Sequence, residues 1–220
     1  MRRVLAIALF LGALLAIDQH VTRTEQLGLG AATWVALVLA LRPLDAERRL
    51  QALVVVGAAT IAEVTGSLLW GVYHYRLGNL PTFIPPAHGL VYLAGLALAR
   101  ALAGRERQLV VVAAAGALLW GALGLTVLPR EDLAGAAGVP LLLVFLAFSR
   151  SRPVYAGVFL VVAALELYGT AIGTWRWSET LPGLEIPDGT PPSGVASGYV
   201  CFDVAALYLV PRLRAAFQRR

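Results

Sequence analysis

Lysine is absent from this chain of 220 residues, cysteine occurs once (Cys201), and charged residues of all kinds make up only 14%. Without lysine there is no side-chain amine to form a Schiff base with a retinal-type or other carbonyl. A lone cysteine closes no disulfide within the chain, so quinone-linked thiol oxidation on a single chain is excluded. Scarce charge comes with abundant apolar surface: 59% of the residues are apolar and the mean hydropathy is +0.74. That is more than a water-soluble domain of this length hides inside one core.

The fold class expected is therefore all-α, a polytopic membrane helix bundle. Apolar segments occupy 4–17, 27–41, 51–72, 84–104, 108–128, 133–148, 154–175 and 193–212. Several approach the ~20 residues that cross the hydrocarbon layer as a helix. We count eight transmembrane helices. The first begins after Arg2 and Arg3, but no small-x-small cleavage site follows before Asp18 and His20, so it reads as a retained helix rather than a signal peptide.

All eighteen basic residues are arginines, and their placement sets an orientation. With the amino terminus in the cytoplasm, fourteen fall on cytoplasmic segments, among them Arg42, Arg48 and Arg49, then Arg100, Arg105 and Arg107, and finally the tail with Arg212, Arg214, Arg219 and Arg220. The four outward segments hold one each, Arg23, Arg76, Arg130 and Arg176. This is the alternation of the positive-inside rule, and it puts both termini in the cytoplasm of a bacterial cytoplasmic (inner) membrane. The net charge of +5 is then a matter of topology. It implies no nucleic-acid partner, for which a basic stripe with a readable motif would be needed.

Two stretches read as copies of one another. Residues 62–92 contain Glu63, Gly66, Trp70, Tyr73 and Tyr75 before a loop with Pro81, Pro85 and Pro86; residues 165–199 contain Glu166, Gly169, Gly173, Trp175 and Trp177 before Pro182, Pro187, Pro191 and Pro192. The chain divides accordingly into two four-helix repeats, 1–104 and 105–220, which together form one integral membrane unit. Four spans return the chain to its starting side, so the copies run parallel and both motif loops face outward.

Each copy carries an acid at membrane depth, where ionisable groups are expensive and mark function. Glu63 is followed at helical offsets of three, seven and ten by Gly66, Trp70 and Tyr73, which predicts one shared helical face; Glu166 repeats this with Gly169, Gly173 and Arg176. Asp203 lies about ten residues inside the last segment, a similar depth at ~1.5 Å per residue. Three acids are thus expected at one level, with no arginine there to neutralise them. Mutual repulsion in a low dielectric then requires that at least one be protonated or that the group hold a cation.

His20, His74 and His88 all fall at the outer face. Their spacing matches no compact zinc-ligand pattern, so no metal site is expected. His88, with Tyr92 at i+4, is the histidine expected to face the glutamate helix. Trp70, Tyr73, Tyr75, Trp175 and Trp177 cluster at the outer ends of the third and seventh segments and either form an interfacial belt or line a ligand. Arg76 and Arg176 follow them, and either bind a polar or phosphate head or snorkel to the interface. Ser193, Gly194, Ser197 and Gly198 make a small-residue face that suits close helix packing and also leaves room for an elongated apolar ligand.

Glu63-Val64-Thr65-Gly66 with Gly71, Tyr73, Tyr75 and Leu77-Gly78, and Glu166-Leu167-Tyr168-Gly169 with Gly173, resemble the signature of the membrane carotenoid biosynthesis proteins that act as carotenoid 1',2'-hydratases. The family pattern runs Glu-x-x-Gly-x-x-x-Gly, then an aromatic-glycine-x-Tyr-x-Tyr segment and Leu-Gly. About twenty residues in each half carry the resemblance; the pattern is split between the copies, and Gly66 and Tyr73 stand closer than in the family. It implies a polytopic enzyme that protonates an isoprenoid double bond and adds water, with Glu63 or Glu166 among its acids.

The residues point to an acid/base centre, and taken with that resemblance the chain is expected to do acid/base chemistry, hydration or cyclisation, on an isoprenoid or carotenoid-like apolar lipid without a cofactor. Glu63 and Glu166 would serve as acid and base, Asp203 as the group that sets them apart, and His88 as a proton route. Trp70, Tyr73, Tyr75, Arg76, Trp175, Arg176 and Trp177 would form the substrate surface, with aromatic faces stabilising a carbocation. Two other readings stand beside it at this point: a proton- or cation-coupled transporter with twin halves, and a non-catalytic lipid-binding or assembly protein. The oligomeric state is open.

Overall fold

The computed structural model describes the backbone of residues 1–218 and the side chains there other than those of Leu213, Arg214 and residues 216–218. Arg214, Arg219 and Arg220, counted above in the cytoplasmic tail, lie outside the described side chains. The chain folds as helices α1 (Arg2–Asp18), α2 (Arg23–Leu41), α3 (Ala46–Glu63), α4 (Ile84–Ala101), α5 (Glu106–Thr126), α6 (Leu133–Phe148), α7 (Arg152–Ala171), α8 (Ser193–Gly198) and α9 (Val200–Gln218). A π-helical turn, Val64–Trp70, continues α3, and strands β1 (Tyr73–Tyr75) and β2 (Trp175–Trp177) follow α3 and α7.

Local chemistry sets the helix starts. Thr22 closes a reciprocal capping box with Glu25 at the head of α2, Asp45 accepts from the Arg48 amide to begin α3, and Asp132 accepts from the Gly135 amide to begin α6. Each cap supplies a partner for a first-turn N–H that has none inside its helix. Pro85 and Pro86 open α4, where a missing amide costs nothing. Gly71 and Gly173, both at φ +80°, end the two glutamate helices in the left-handed conformation that glycine adopts without a Cβ penalty.

Among the described residues, five helices are long and apolar enough to cross a membrane by length and composition: Arg23–Leu41, Ala46–Trp70, Glu106–Thr126, Arg152–Ala171 and Ser193–Arg212. Their outer surface is greasy, with Leu69 at 77% and Leu119 at 60% exposure. Such a surface suits lipid and not water. α4 sits at the centre, buried along most of its length and packed on α1, α2, α3 and α7. Its contact with α7 is close because both sides present glycine: a Cβ on Gly157 would lie 2.5 Å from the Gly95 carbonyl oxygen, and one on Gly95 would lie 2.4 Å from Val158 Cγ2. A similar approach joins α6 to α8, where a Cβ on Gly194 would meet the Gly135 oxygen at 2.4 Å.

The two strands are the departure from the helical expectation. They pair antiparallel, Tyr73 opposite Trp177, His74 opposite Arg176 and Tyr75 opposite Trp175. The signal for them is short: an aromatic-polar-aromatic alternation in each, Tyr-His-Tyr and Trp-Arg-Trp. Period-two alternation puts one pair of faces on the core and the other in the open.

Candidate functional site: two carboxylates in an aromatic cavity

Beneath the strand pair is a cavity of about 260 Å³. Glu63 from α3, Glu166 from α7 and His88 from α4 all reach it, with Tyr73, Tyr75, Trp175 and Trp177 of the strands as its roof. Its walls are otherwise apolar, with Leu11, Leu14 and Leu15 of α1 and Phe83 on one side and Tyr199 and Phe202 on the other. The strand pairing therefore brings aromatics a hundred residues apart onto one surface. Tyr73 and Trp177 stack at 4.7 Å between centroids, and Tyr75 meets Trp175 edge-on at 6.1 Å.

Glu63 is fully engaged. The hydroxyls of Tyr73 and Tyr75 each donate to its Oε2 at 2.6 Å, and His88 Nε2 lies 3.1 Å from Oε1. Burial, and next the Glu63 carboxylate, push both tyrosines well above the ordinary phenol range, so both remain O–H donors. Short bonds of this kind to an ionised acceptor are among the strong ones. His88 Nδ1 is buried without a partner, and its ring packs against Tyr199 at 5.5 Å and Phe202 at 6.3 Å.

Glu166 is the opposite case. It is buried, and its Oε2 has no hydrogen-bond partner. The Trp175 indole N–H lies near it but lacks the geometry of a hydrogen bond and is itself unpartnered. Glu63 is close enough to act on it electrostatically.

Backbone geometry explains how residues so far along the chain reach these acids. The offsets expected to place Gly66, Trp70 and Tyr73 on one helical face do not hold, because α3 passes into the π-helical turn and then reverses at Gly71. The Gly71 and Val72 amides both donate to the Gly66 carbonyl, and β1 folds back so that the Tyr73 ring lies over Gly66, 3.0 Å from where a Cβ would stand. At α7 the Thr174 amide donates to the Gly169 carbonyl and the Trp175 ring covers Gly169, 2.3 Å from a Cβ position. Glycine at both places is what lets an aromatic lie flat on the helix it has just left. One residue more separates Glu63 from Gly71 than Glu166 from Gly173, the increment that a π-helical turn absorbs.

Four of the residues singled out in the sequence are elsewhere. Trp70 is 45% exposed and its indole N–H donates to the Pro182 carbonyl at 2.9 Å, so it clamps the loop after β2. Arg76 donates through Nη2 to the carbonyls of Asp18 and Val21, which ties it to the α1–α2 turn. Arg176 faces outward on β2 opposite His74, as the alternation demands. Asp203 is buried on α9 with Oδ2 unpartnered and does not line the cavity; Phe202 takes that place. Helix rise counts residues along α9 and carries nothing about the direction in which Asp203 points.

Two polar knots escaped the sequence reading. Asp132 is 1% exposed and accepts from the amides of Gly135 at 3.0 Å, Gly189 at 2.9 Å and Ser193 at 2.7 Å, so one carboxylate fixes the start of α6, the end of the loop after β2 and the start of α8. Its position just before an apolar run is an N-cap signal. Asp18 accepts from Gln26 at 2.7 Å, and Gln26 in turn accepts from Asn79 at 2.8 Å. Both knots hold the loops that carry the cavity roof. Among the described residues no three His, Cys, Asp or Glu side chains gather as a metal-holding group. Comparison of the chain with protein-family models, curated proteins and solved structures finds no match.

Proposed function

We propose that this chain is an integral membrane enzyme that protonates a double bond of an isoprenoid or carotenoid-like lipid, leading to hydration or cyclisation. The observation that carries the reading is the unequal treatment of two carboxylates in one apolar, aromatic-roofed cavity. Environments that set two acids apart assign one to hold a proton and the other to take it up. Glu166, with an oxygen that meets no donor, is the proton donor. Glu63, already accepting from two tyrosines and facing His88, is the base.

In the hydration branch the Glu166 proton adds to one alkene carbon with the alkene π pair, leaving a carbocation on the other. Water adds there, and its surplus proton goes to Glu63. In the cyclisation branch a second double bond attacks the cation, and Glu63 removes a proton from the ring so formed. A proton passing from Glu63 back to Glu166 resets either cycle. The faces of Tyr73, Trp175 and Trp177 supply the electron-rich surface a cation prefers. The local resemblance to carotenoid 1',2'-hydratases points the same way, since it falls on Glu63, Gly66, Tyr73 and Tyr75.

The finer architecture belongs to the same proposal: eight transmembrane helices in two parallel four-helix repeats, with both termini cytoplasmic in a bacterial inner membrane. It is supported by the arginine alternation, by the matching left-handed glycines Gly71 and Gly173, and by a strand pair whose register is symmetric about His74 and Arg176. The carrier reading draws on Asp203, a buried acid without a partner for Oδ2 away from the cavity, and predicts a pH-dependent flux in proteoliposomes.

The deciding experiment compares lipid extracts of cells that accumulate acyclic polyenes, with and without the gene, and with Glu166→Gln or Glu63→Gln in its place. A discrete new product that either substitution reduces by about 10²–10⁴-fold is the expected result. Identical extracts from all four strains would overturn it.

A further inference from the structure

The cavity is too small for the whole of a long lipid. At about 260 Å³ it is below the roughly 300–1,000 Å³ of sites that enclose drug-sized ligands, so a long isoprenoid that reacts here places one end inside. The rest of the chain needs an exit. On the proposed reading of the cavity as a lipid site, the walls show where.

Ala62 on α3 lines the cavity and is also exposed on the outer surface of the bundle. Gly198, at the end of α8, lines it too, and a Cβ there would meet no atom within 4 Å. Around them the packing partners change: α3 packs on α9 and α4, whereas α8 packs mainly on α5, α6 and α7. The equivalent of Ala62 next to the other acid is Leu165, bulkier and only half-buried. The small residue therefore stands beside Glu63, the large one beside Glu166.

We infer that the gap bounded by Ala62 and Gly198, between α3 and the α8–α9 junction, is a lateral portal through which the end of an elongated apolar lipid enters while its tail stays in the bilayer. The entering end passes Glu63 and reaches Glu166. Selection acts on the shape of the end group, and chain length beyond it is tolerated. Gly198 is thereby distinguished from its neighbour Gly194: Gly194 is small because α6 lies against it, and Gly198 is small because the ligand does.

Tryptophan quenching tests this without reference to catalysis. Of the five tryptophans, Trp175 and Trp177 roof the cavity; Trp34, Trp70 and Trp120 are replaced by Phe, and the protein is reconstituted in phosphatidylcholine vesicles with brominated acyl chains. Emission from Trp175 and Trp177 is expected to fall relative to unbrominated vesicles, and Ala62→Phe with Gly198→Leu is expected to restore it. Leu167→Phe, on the lipid face of α7 away from the lining, should leave the quenching as it was. Absence of quenching in the open chain, or quenching that the blocking pair leaves untouched, would overturn the portal. The unsubstituted protein, with all five tryptophans, gives the same comparison if the triple Phe variant does not fold. Quenching that the blocking pair relieves in a protein that makes no new lipid product keeps the portal and removes the chemistry; product formation without quenching does the reverse.

Discussion

The surroundings of Glu63 and of Glu166 are built to one plan and finished differently. Each acid is near the end of a helix, each helix closes on a glycine at φ +80°, and each sends an aromatic strand back over a second glycine. The first strand carries tyrosines and the second tryptophans. A phenol reaches Glu63 with an oxygen-borne proton at 2.6 Å, whereas the indole beside Glu166 makes no bond to it. One frame thus yields a satisfied carboxylate and an unsatisfied one, and the difference lies in the aromatic chosen and in the single residue taken up by the π-helical turn.

The largest expected effect of breaking that contrast is on stability. Glu63→Ala strands two hydroxyls and the His88 Nε2, at about 1–3 kcal/mol for each buried group left unpaired. Glu166→Leu removes an acceptor that has no donor and puts a hydrophobe of similar size into an apolar wall, which is near neutral or stabilising. Thermal unfolding in detergent should therefore separate the two by several degrees or more, with Glu63→Ala the lower. Equal losses would show that the acids are partnered alike.

Smaller changes should follow from the donors. Tyr73→Phe and Tyr75→Phe each delete one bond to Glu63, at about 1.5–3 kcal/mol for a hydrogen bond to a charged group. Trp177→Phe deletes an indole N–H that has no partner and should be milder on the same melting measurement. The glycines give the next step down. Gly169→Ala drives a methyl to 2.3 Å from the Trp175 ring and should cost about 1–3 kcal/mol as overpacking does. Gly66→Ala puts a methyl 3.0 Å from the edge of a Tyr73 ring held by its bond to Glu63, against which it gains up to about 1 kcal/mol of helix propensity, so its loss should be smaller than that of Gly169→Ala.

Much of the bundle was legible because the signals are local or periodic. Apolar run lengths anticipate the helices to within a few residues at most ends, and the Pro-Pro pairs mark the starts of α4 and α8. The recurrence of Glu-x-x-Gly located both cavity acids, since an acid in an apolar helix is conspicuous wherever it points. Direction was the part that spacing did not carry. Trp70 closes the π-helical turn and Arg76 lies beyond the Gly71 reversal, neither of which a constant helical period contains, and Asp203 sits on a face decided by how α9 packs on α3. The leucines of α1 and the ring of Tyr199 line the cavity through tertiary packing, and in sequence they resemble any other apolar helix residue. Asp132 was within reach, as an acid one residue before an apolar run, but its bonds to Gly189 and Ser193 join positions about sixty residues on.

The smallest expected effect concerns the loops that follow the two strands. The loop after β2 carries Asp188, which is buried next to the Asp132 carboxylate; burial first, and that neighbouring charge second, push it up to about 7, with Arg130 pulling the other way. The loop after β1 has no such acid. An aspartate titrates near 3.9 when unfolded, so the folded protein holds this proton more tightly, and the stabilisation it brings is complete below about pH 4 and is lost as pH rises toward about 7. Because the Asp188 amide also bonds the Glu179 carbonyl at 3.0 Å, the consequence should be confined to the second loop. Hydrogen exchange across residues 178–190 is expected to quicken between pH 5 and 8, after correction for the intrinsic rate, while residues 76–83 change little. Asp188→Asn should flatten the response, because an amide keeps the shape of the protonated acid at every pH. A pH response of equal size in both loops would mean that the contrast between the two halves ends at the cavity roof.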